Sequence, residues 1–253
     1  MRIKKQFILN GLVSISVLCL LLSPFTTYAK NKTTKSAMPA WCRVDGYTCL
    51  RVKSGQSWEI LFPDERERGI VMRVNRTSGV LYAGVILKVP NNLSEGDLLD
   101  YAPFPRRIEP IGEKIIVIDL KQNAWGAYVP DGTLIRWGPA TGGKAWCSDI
   151  DQPCRTKSGA FRIYSLGSSN CISSKFPVPD GGAPMPFCMF FNGGQALHGS
   201  PGAVMKANVS HGCVRLFVPD AEWLRYDFVE PPRAENNYRG TKVIVLPYAT
   251  TAS

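Results

Sequence analysis

Apolar positions in this chain fall mostly in short blocks of strand length, separated by turn-forming residues. From Cys49 to Pro90 the pattern predicts two short strands flanking two short helices. Trp58-Glu59-Ile60-Leu61-Phe62 opens a helix that Pro63-Asp64 cuts short, and Ile70, Val71 and Val74 carry the spacing of a second one. Tyr82-Ala83-Gly84 then leads into an apolar run ending at Pro90. Residues 92–112 hold Pro103, Pro105 and Pro110 around Arg106-Arg107, a composition suited to a linker or an extended docking segment. Beyond Glu113, strand-like blocks recur at Ile115–Leu120, Trp125–Val129, Thr133–Trp137, Phe161–Tyr164, Phe187–Phe191 and Val243–Leu246. Pro130-Asp131-Gly132 reads as a hairpin turn between two of them. Pro219–Phe228 is the best helix of the second half, with Asp220 and Glu222 near its start and Trp223, Leu224 and Phe228 as an apolar face. The expected fold is mainly β, a sandwich or barrel with short helices, preceded by a small α+β domain.

Residues 1–29 follow a different pattern. Arg2, Lys4 and Lys5 precede an apolar stretch from Phe7 to Leu22, and Pro24 comes before Thr27-Tyr28-Ala29. This reads as a secretory signal cleaved after Ala29. An uncleaved anchor needs ~20 apolar residues, and Asn10, Gly11, Ser14 and Ser16 interrupt the run. The mature chain is therefore expected to be exported to the periplasm or cell wall, without a stable membrane anchor, and to open with a basic, polar, flexible leader over residues 30–40. Losing Arg2, Lys4 and Lys5 takes the formal charge from +10 to +7. A basic exported protein suits an anionic wall, whereas nucleic acid is not an expected partner because export removes it.

Export makes cysteine pairing informative. Seven cysteines remain after Ala29: Cys42, Cys49, Cys147, Cys154, Cys171, Cys188 and Cys213. An odd number leaves a thiol over. Neighbouring residues pair as Cys42–Cys49, Cys147–Cys154 and Cys171–Cys188, which leaves Cys213.

Both histidines of the chain lie just upstream of that cysteine, in His198-Gly199-Ser200 and Ser210-His211-Gly212-Cys213-Val214-Arg215. A free thiol with a pKa of ~8.5 needs a base near neutral pH, and imidazole suits the task. The grouping points to covalent acyl chemistry. The plainer alternative is a buried structural cysteine with incidental histidines. Zinc would call for Cys-x-x-Cys or His-x-x-x-His spacing, and neither occurs, so no metal and no cofactor is expected.

Ser210-His211-Gly212-Cys213-Val214-Arg215, preceded by Ala196-Leu197-His198-Gly199-Ser200, resembles the signature of the L,D-transpeptidases of the YkuD fold. The likeness runs from about Glu113 to Pro247 and takes in Ile116-Val117-Ile118-Asp119-Leu120, Thr156-Lys157-Ser158-Gly159-Ala160-Phe161, Asp220-Ala221-Glu222-Trp223-Leu224 and Gly240-Thr241-Lys242-Val243-Ile244-Val245. Two departures are a short spacing between His198 and Ser210 and Lys157 where proline is usual. Residues 41–91 resemble a LysM module through Val52-Lys53-Ser54-Gly55-Gln56 and Tyr82-Ala83-Gly84-Val85-Ile86-Leu87-Lys88-Val89-Pro90. These resemblances imply a YkuD-type β-sandwich or barrel over 113–249, a LysM-like glycan-binding module over 41–91 and a linker over 92–112.

The implied reaction is attack of Cys213 on a peptidoglycan tetrapeptide stem, giving a thioester that passes to an amine acceptor, or to water in an L,D-carboxypeptidase. The resemblance makes His198 the general base, its imidazole held by a backbone carbonyl near Gly199. His211 is the rival base. The backbone N–H groups of Gly212 and Cys213 are the expected oxyanion donors. Ser210 orients the loop, and Arg215 with Ser200 is expected to bind substrate, although a surface ion pair is an alternative for Arg215. Residues 165–186 read as a lid anchored by Cys171–Cys188. Stem peptides and glycan strands are the expected partners of a monomer. Two alternatives are a non-catalytic peptidoglycan-binding wall protein and a Cys/His endopeptidase. In the latter the histidine usually follows the cysteine, and here both precede it.

Overall fold

A computed structural model describes residues 38–248. The secretory signal, with Cys19, and most of the 30–40 leader lie outside the described residues. No helix among the described residues is long and apolar enough to cross a membrane.

The first part of the chain forms β1 (Tyr47–Arg51), α1 (Trp58–Leu61), α2 (Glu65–Val74) and β2 (Ile86–Pro90), the strand-helix-helix-strand order that the pattern predicts. β1 and β2 pair antiparallel, Tyr47 opposite Pro90 and Arg51 opposite Ile86. Ser57 caps α1, and α1 stops because Pro63 has no N–H to continue it. Asp64 then caps α2, accepting from the Glu67 N–H at 2.8 Å. Asn75, just past α2, accepts from the Lys88 N–H at 2.9 Å and donates to the Lys88 carbonyl at 2.8 Å, which pins β2 to the helix. Val52, Trp58, Phe62, Val71, Leu81 and Leu87 form the core beneath, and the Cys42–Cys49 disulfide closes its edge.

Residues 92–112 run along the next sheet. Trp137 Nε1 donates to the Leu98 carbonyl at 2.7 Å and the Tyr128 hydroxyl to the Pro105 carbonyl at 3.0 Å. That sheet has the order β5-β4-β3-β11-β6, from β3 (Ile115–Asp119), β4 (Ala124–Tyr128), β5 (Leu134–Pro139), β6 (Gly159–Arg162) and β11 (Lys242–Val245). A second sheet has the order β10-β9-β8-β7, from β7 (Ser165–Leu166), β8 (Met189–Asn192), β9 (Gln195–Gly199) and β10 (Val214–Leu216). Ile116, Ile118 and Trp125 of the first sheet share one buried core with Met189, Leu197, Val214 and Leu216 of the second. α3 (Val218–Trp223), continued by a π-helical turn over Leu224–Phe228, adds Ala221, Leu224 and Phe228. The fold is mainly β with short helices, as expected. β7, β9 and β10 are additional to the predicted strands, β7 lying at the start of the segment 165–186 read as a lid. β10 has three residues, and polar Gln195 and His198 break the apolar run of β9.

One polar cluster ties α2 to the sandwich. The Asp220 side chain on α3 is fully buried, and its Oδ1 accepts from Arg73 of α2 at 2.5 Å and from Arg136 of β5 at 3.0 Å. Arg76 adds a bond to the Gln122 carbonyl at 3.1 Å and lies 4.8 Å over the Trp137 ring. A buried carboxylate is tolerable only while its cations stay in place. Asp220→Ala strands two guanidinium groups here and is expected to lower stability to urea by about 3–5 kcal/mol. A loss below about 1 kcal/mol, the range of an exposed pair, contradicts this account of the junction.

Candidate active site

β9 and β10 lie side by side and parallel, with Arg215 opposite His198 and Leu216 opposite Gly199. Residues two apart on a strand share a face, so Cys213, just before β10, falls on the face of Arg215, whose register partner is His198, and its thiol donates to the Gly194 carbonyl at 3.7 Å. Cys213, Arg215 and His198 line a cavity of about 660 Å³ together with Ser200, Ser210 and His211. Its walls come from segments 150–155, 172–176 and 183–185, each held by or next to a disulfide. Cys147–Cys154, Cys171–Cys188 and Cys42–Cys49 are bonded, and Cys213 is the free cysteine among the described residues.

His198 is buried, 5% exposed. Its Nδ1–H donates to the Gly199 carbonyl at 2.8 Å, which leaves Nε2 as the bare, proton-accepting nitrogen. Gly199 acts through that carbonyl and does not line the cavity. Burial pulls the imidazole down to about pKa 4, with the Gly199 bond opposing and the Arg215 charge assisting. Burial pushes the Cys213 thiol up, opposed by a hydrogen bond from the Ala196 backbone and by Arg215. Near neutral pH the pair is thus thiol and imidazole, not thiolate and imidazolium.

A different environment surrounds His211. Gly212 sits at φ +117°, a backbone conformation open to glycine, and this turn parts the two side chains on either side of it. The His211 ring stacks on Phe176 with centroids 4.3 Å apart, and its Nε2 donates to Asp149 Oδ2 at 2.6 Å. Ser210 Oγ donates to the Cys213 carbonyl and accepts the Gly212 N–H at 3.1 Å. The Gly212 N–H is therefore already committed. Of the two expected oxyanion donors, the Cys213 N–H is the one without a hydrogen-bond partner among the described residues. Arg215 has no ion-pair partner among them either, and it faces the cavity.

Residues given no role from the sequence complete the site. Thr156 Oγ1 donates to the Gly212 carbonyl at 2.9 Å and accepts the Gly143 N–H at 3.0 Å. A Cβ on Gly143 would stand 1.9 Å from the Cys154 carbonyl, so only glycine lets these loops approach. Thr156 belongs to a motif that the resemblance includes, whereas nothing in the sequence marks Asp149. Donor atoms of Cys147, Asp149 and His211 lie within 4.8 Å of one another, a grouping that motif spacing does not reveal. The Cys147 sulfur is bonded to Cys154 and offers no thiolate to a metal.

The profile of the family described as YkuD, L,D-transpeptidase catalytic domain, matches residues 113–245. No curated protein matches the chain. Among solved structures, the fold is similar to an L,D-transpeptidase (residues 123–326) from Xylanimonas cellulosilytica, at 21% identity and a TM-score of 0.52, over 80% of this chain and 98% of that one. An L,D-transpeptidase from Stackebrandtia nassauensis aligns at 23% identity and a TM-score of 0.44, over 59% of this chain and 62% of that one. One from Mycobacterium smegmatis aligns at 20% identity and a TM-score of 0.40, over 68% and 67%.

The depressed His198 pKa has a consequence for stability. Between the ordinary value of 6.5 and about 4, the unfolded chain holds the proton that the folded one lacks. Stability from this residue is present above 6.5 and falls as pH drops through that window, by about 3 kcal/mol in all. Urea unfolding of the native chain and of His198→Asn between pH 7 and pH 4 is expected to show that slope in the first and not in the second. Equal slopes contradict a buried neutral imidazole.

Proposed function

We infer the function from one premise: this chain belongs to the YkuD family of L,D-transpeptidase catalytic domains, matched over residues 113–245. An enzyme of that family acts on peptidoglycan, and its reaction here is acyl transfer through Cys213. The observation that carries this reading is a free cysteine sharing one cavity with a buried histidine whose Nδ1 is tied back, so that Nε2 is free to take a proton.

The steps follow from the groups present. The Cys213 sulfur attacks the carbonyl of the third stem residue while its proton moves to His198 Nε2. The resulting oxyanion is met by the Cys213 N–H, and removing one such donor typically costs about 10²–10³ in rate. Collapse expels the terminal D-residue as an amine, which takes the proton from His198, and leaves a thioester. An amine of a second stem attacks that thioester and restores the thiol. Water in the same place makes the enzyme an L,D-carboxypeptidase. A neutral thiol–imidazole pair delays ion formation until substrate is bound, and Arg215 steadies a stem carboxylate.

Residues 41–91 serve as a LysM-like glycan module. Their strand-helix-helix-strand order supports this, as do Val80 and Tyr82, 88% and 72% exposed on the loop between α2 and β2. An aromatic ring open to solvent suits stacking on a sugar face. The chain works outside the cytoplasm, as its disulfides support.

Purified protein incubated with disaccharide-tetrapeptide muropeptides is expected to lose the terminal residue from the donor and to carry a single acyl adduct on the Cys213 peptide by mass spectrometry. Cys213→Ala and His198→Ala should give neither, with His211→Ala reduced but active. An adduct on another residue, or full turnover by His198→Ala, contradicts the assignment. For the module, Val80→Ser with Tyr82→Ser should weaken pull-down on sacculi at physiological salt while leaving muropeptide turnover unchanged. Unaltered pull-down removes the module's role. Surface substitution suits this test better than deletion, which would remove Arg73 from Asp220.

A further inference from the structure

His211 is held on both sides by segments that the chemistry above does not use. Asp149 lies in a loop closed by the Cys147–Cys154 disulfide and stiffened by paired bonds between Cys147 and Gln152. Phe176 lies in the loop closed by Cys171–Cys188, its N–H bonded to Ser173 Oγ at 2.9 Å and its carbonyl to the Ala183 N–H at 2.9 Å. Between them the His211 ring bonds to one and stacks on the other. That ring is anchored two residues from Cys213, in a turn whose remaining groups are also fixed: Ser210 is bonded to Gly142 and Lys144 through its backbone, and Gly212 to Thr156. The contact also keeps the Asp149 carboxyl below the usual carboxylate range.

We propose that Asp149 is a positioning residue for acyl transfer: through His211 it holds the Ser210–Gly212 turn, and so aims the Cys213 N–H at the developing oxyanion. This rests on the reading of Cys213 as the nucleophile. Asp149 touches no reacting atom. Its side chain is 39% exposed, so removing it opens no core cavity and its pair with His211 contributes little to folding. Its effect is geometric. Freed from Asp149, the His211 ring no longer braces the turn between its Ser210 and Gly212 bonds, so the backbone there gains freedom and the N–H drifts from its line; misplacement on the scale of an ångström costs about 10²-fold in rate at the upper end. Phe176 keeps its bonds to Ser173 and Ala183 and loses only its stack on His211.

Two reactions of one thiol separate this role from a merely structural one. Alkylation of Cys213 by iodoacetamide needs a proton acceptor but no oxyanion donor, whereas acylation by a tetrapeptide muropeptide needs both. Asp149→Ala is expected to lower kcat for acylation at least about tenfold, with KM and thermal midpoint little changed and alkylation within about twofold of the native chain. Asp149→Asn keeps an accepting oxygen for His211 Nε2–H and should restore most of the loss. Hydrogen exchange should quicken in segments 171–188 and 210–214 of Asp149→Ala alone. Native acylation rates in Asp149→Ala, or parallel losses of alkylation and acylation, overturn the proposal. A native chain that alkylates at Cys213 but never forms an acyl adduct overturns the acyl-transfer reading itself, and the role of Asp149 falls with it.

Discussion

The parallel pairing of β9 with β10 is the constraint on which the site depends. Arg215 stands opposite His198 only in that register, and a slip of one residue would turn the cavity-facing side chains toward the core. Burial enforces it. Leu197, Val214 and Leu216 alternate with the site residues and are fully buried in the sandwich core. The same alternation that packs the protein therefore presents the thiol, the imidazole and the guanidinium together. Around them, Ser210 and Thr156 donate hydrogen bonds into a turn that glycine makes possible, and His211 in that turn donates to Asp149.

This arrangement carries a cost. A buried histidine facing the Arg215 charge binds its proton poorly, and a buried thiol gives one up poorly. Neither group is charged at rest, so the site avoids holding an ion pair away from water. In the proposed reaction, proton transfer is coupled to attack instead, and the Cys213 N–H meets the new charge. The Asp220 junction makes the opposite choice. It buries a carboxylate permanently and offsets the desolvation with two arginines, one of them from the N-terminal part of the chain. That links α2 to α3, which follows β10 and packs next to β9.

Much of the fold was legible in the sequence. The blocks at Ile115–Leu120, Trp125–Val129 and Val243–Leu246 became β3, β4 and β11 within a residue at either end, because both faces of these strands are largely buried and leave continuous apolar runs. Pro63-Asp64 marked where α1 stops and α2 starts for reasons of backbone chemistry alone. The strands at the centre of the site were less legible. Gln195 and His198 break the apolar run of β9, Arg215 breaks that of β10, and β10 is too short for periodicity to register. Motif and cysteine arithmetic pointed to Cys213 and His198 instead. Asp149 and Phe176 left no trace because their importance lies in contacts between segments far apart in the chain, made by residue types common in any loop.

The proposed chemistry turns on His198 as a neutral base with its Nδ1 proton held on the Gly199 carbonyl. Nitrogen NMR of the chain labelled in histidine, followed from pH 8 downward, reads that state directly. One imidazole is expected with a protonated Nδ1 and a bare Nε2 that stays neutral through pH 6 and titrates at about 4, its signals vanishing in His198→Asn. A His198 resonance already doubly protonated at pH 7 would mean a resting thiolate–imidazolium pair, and would contradict it.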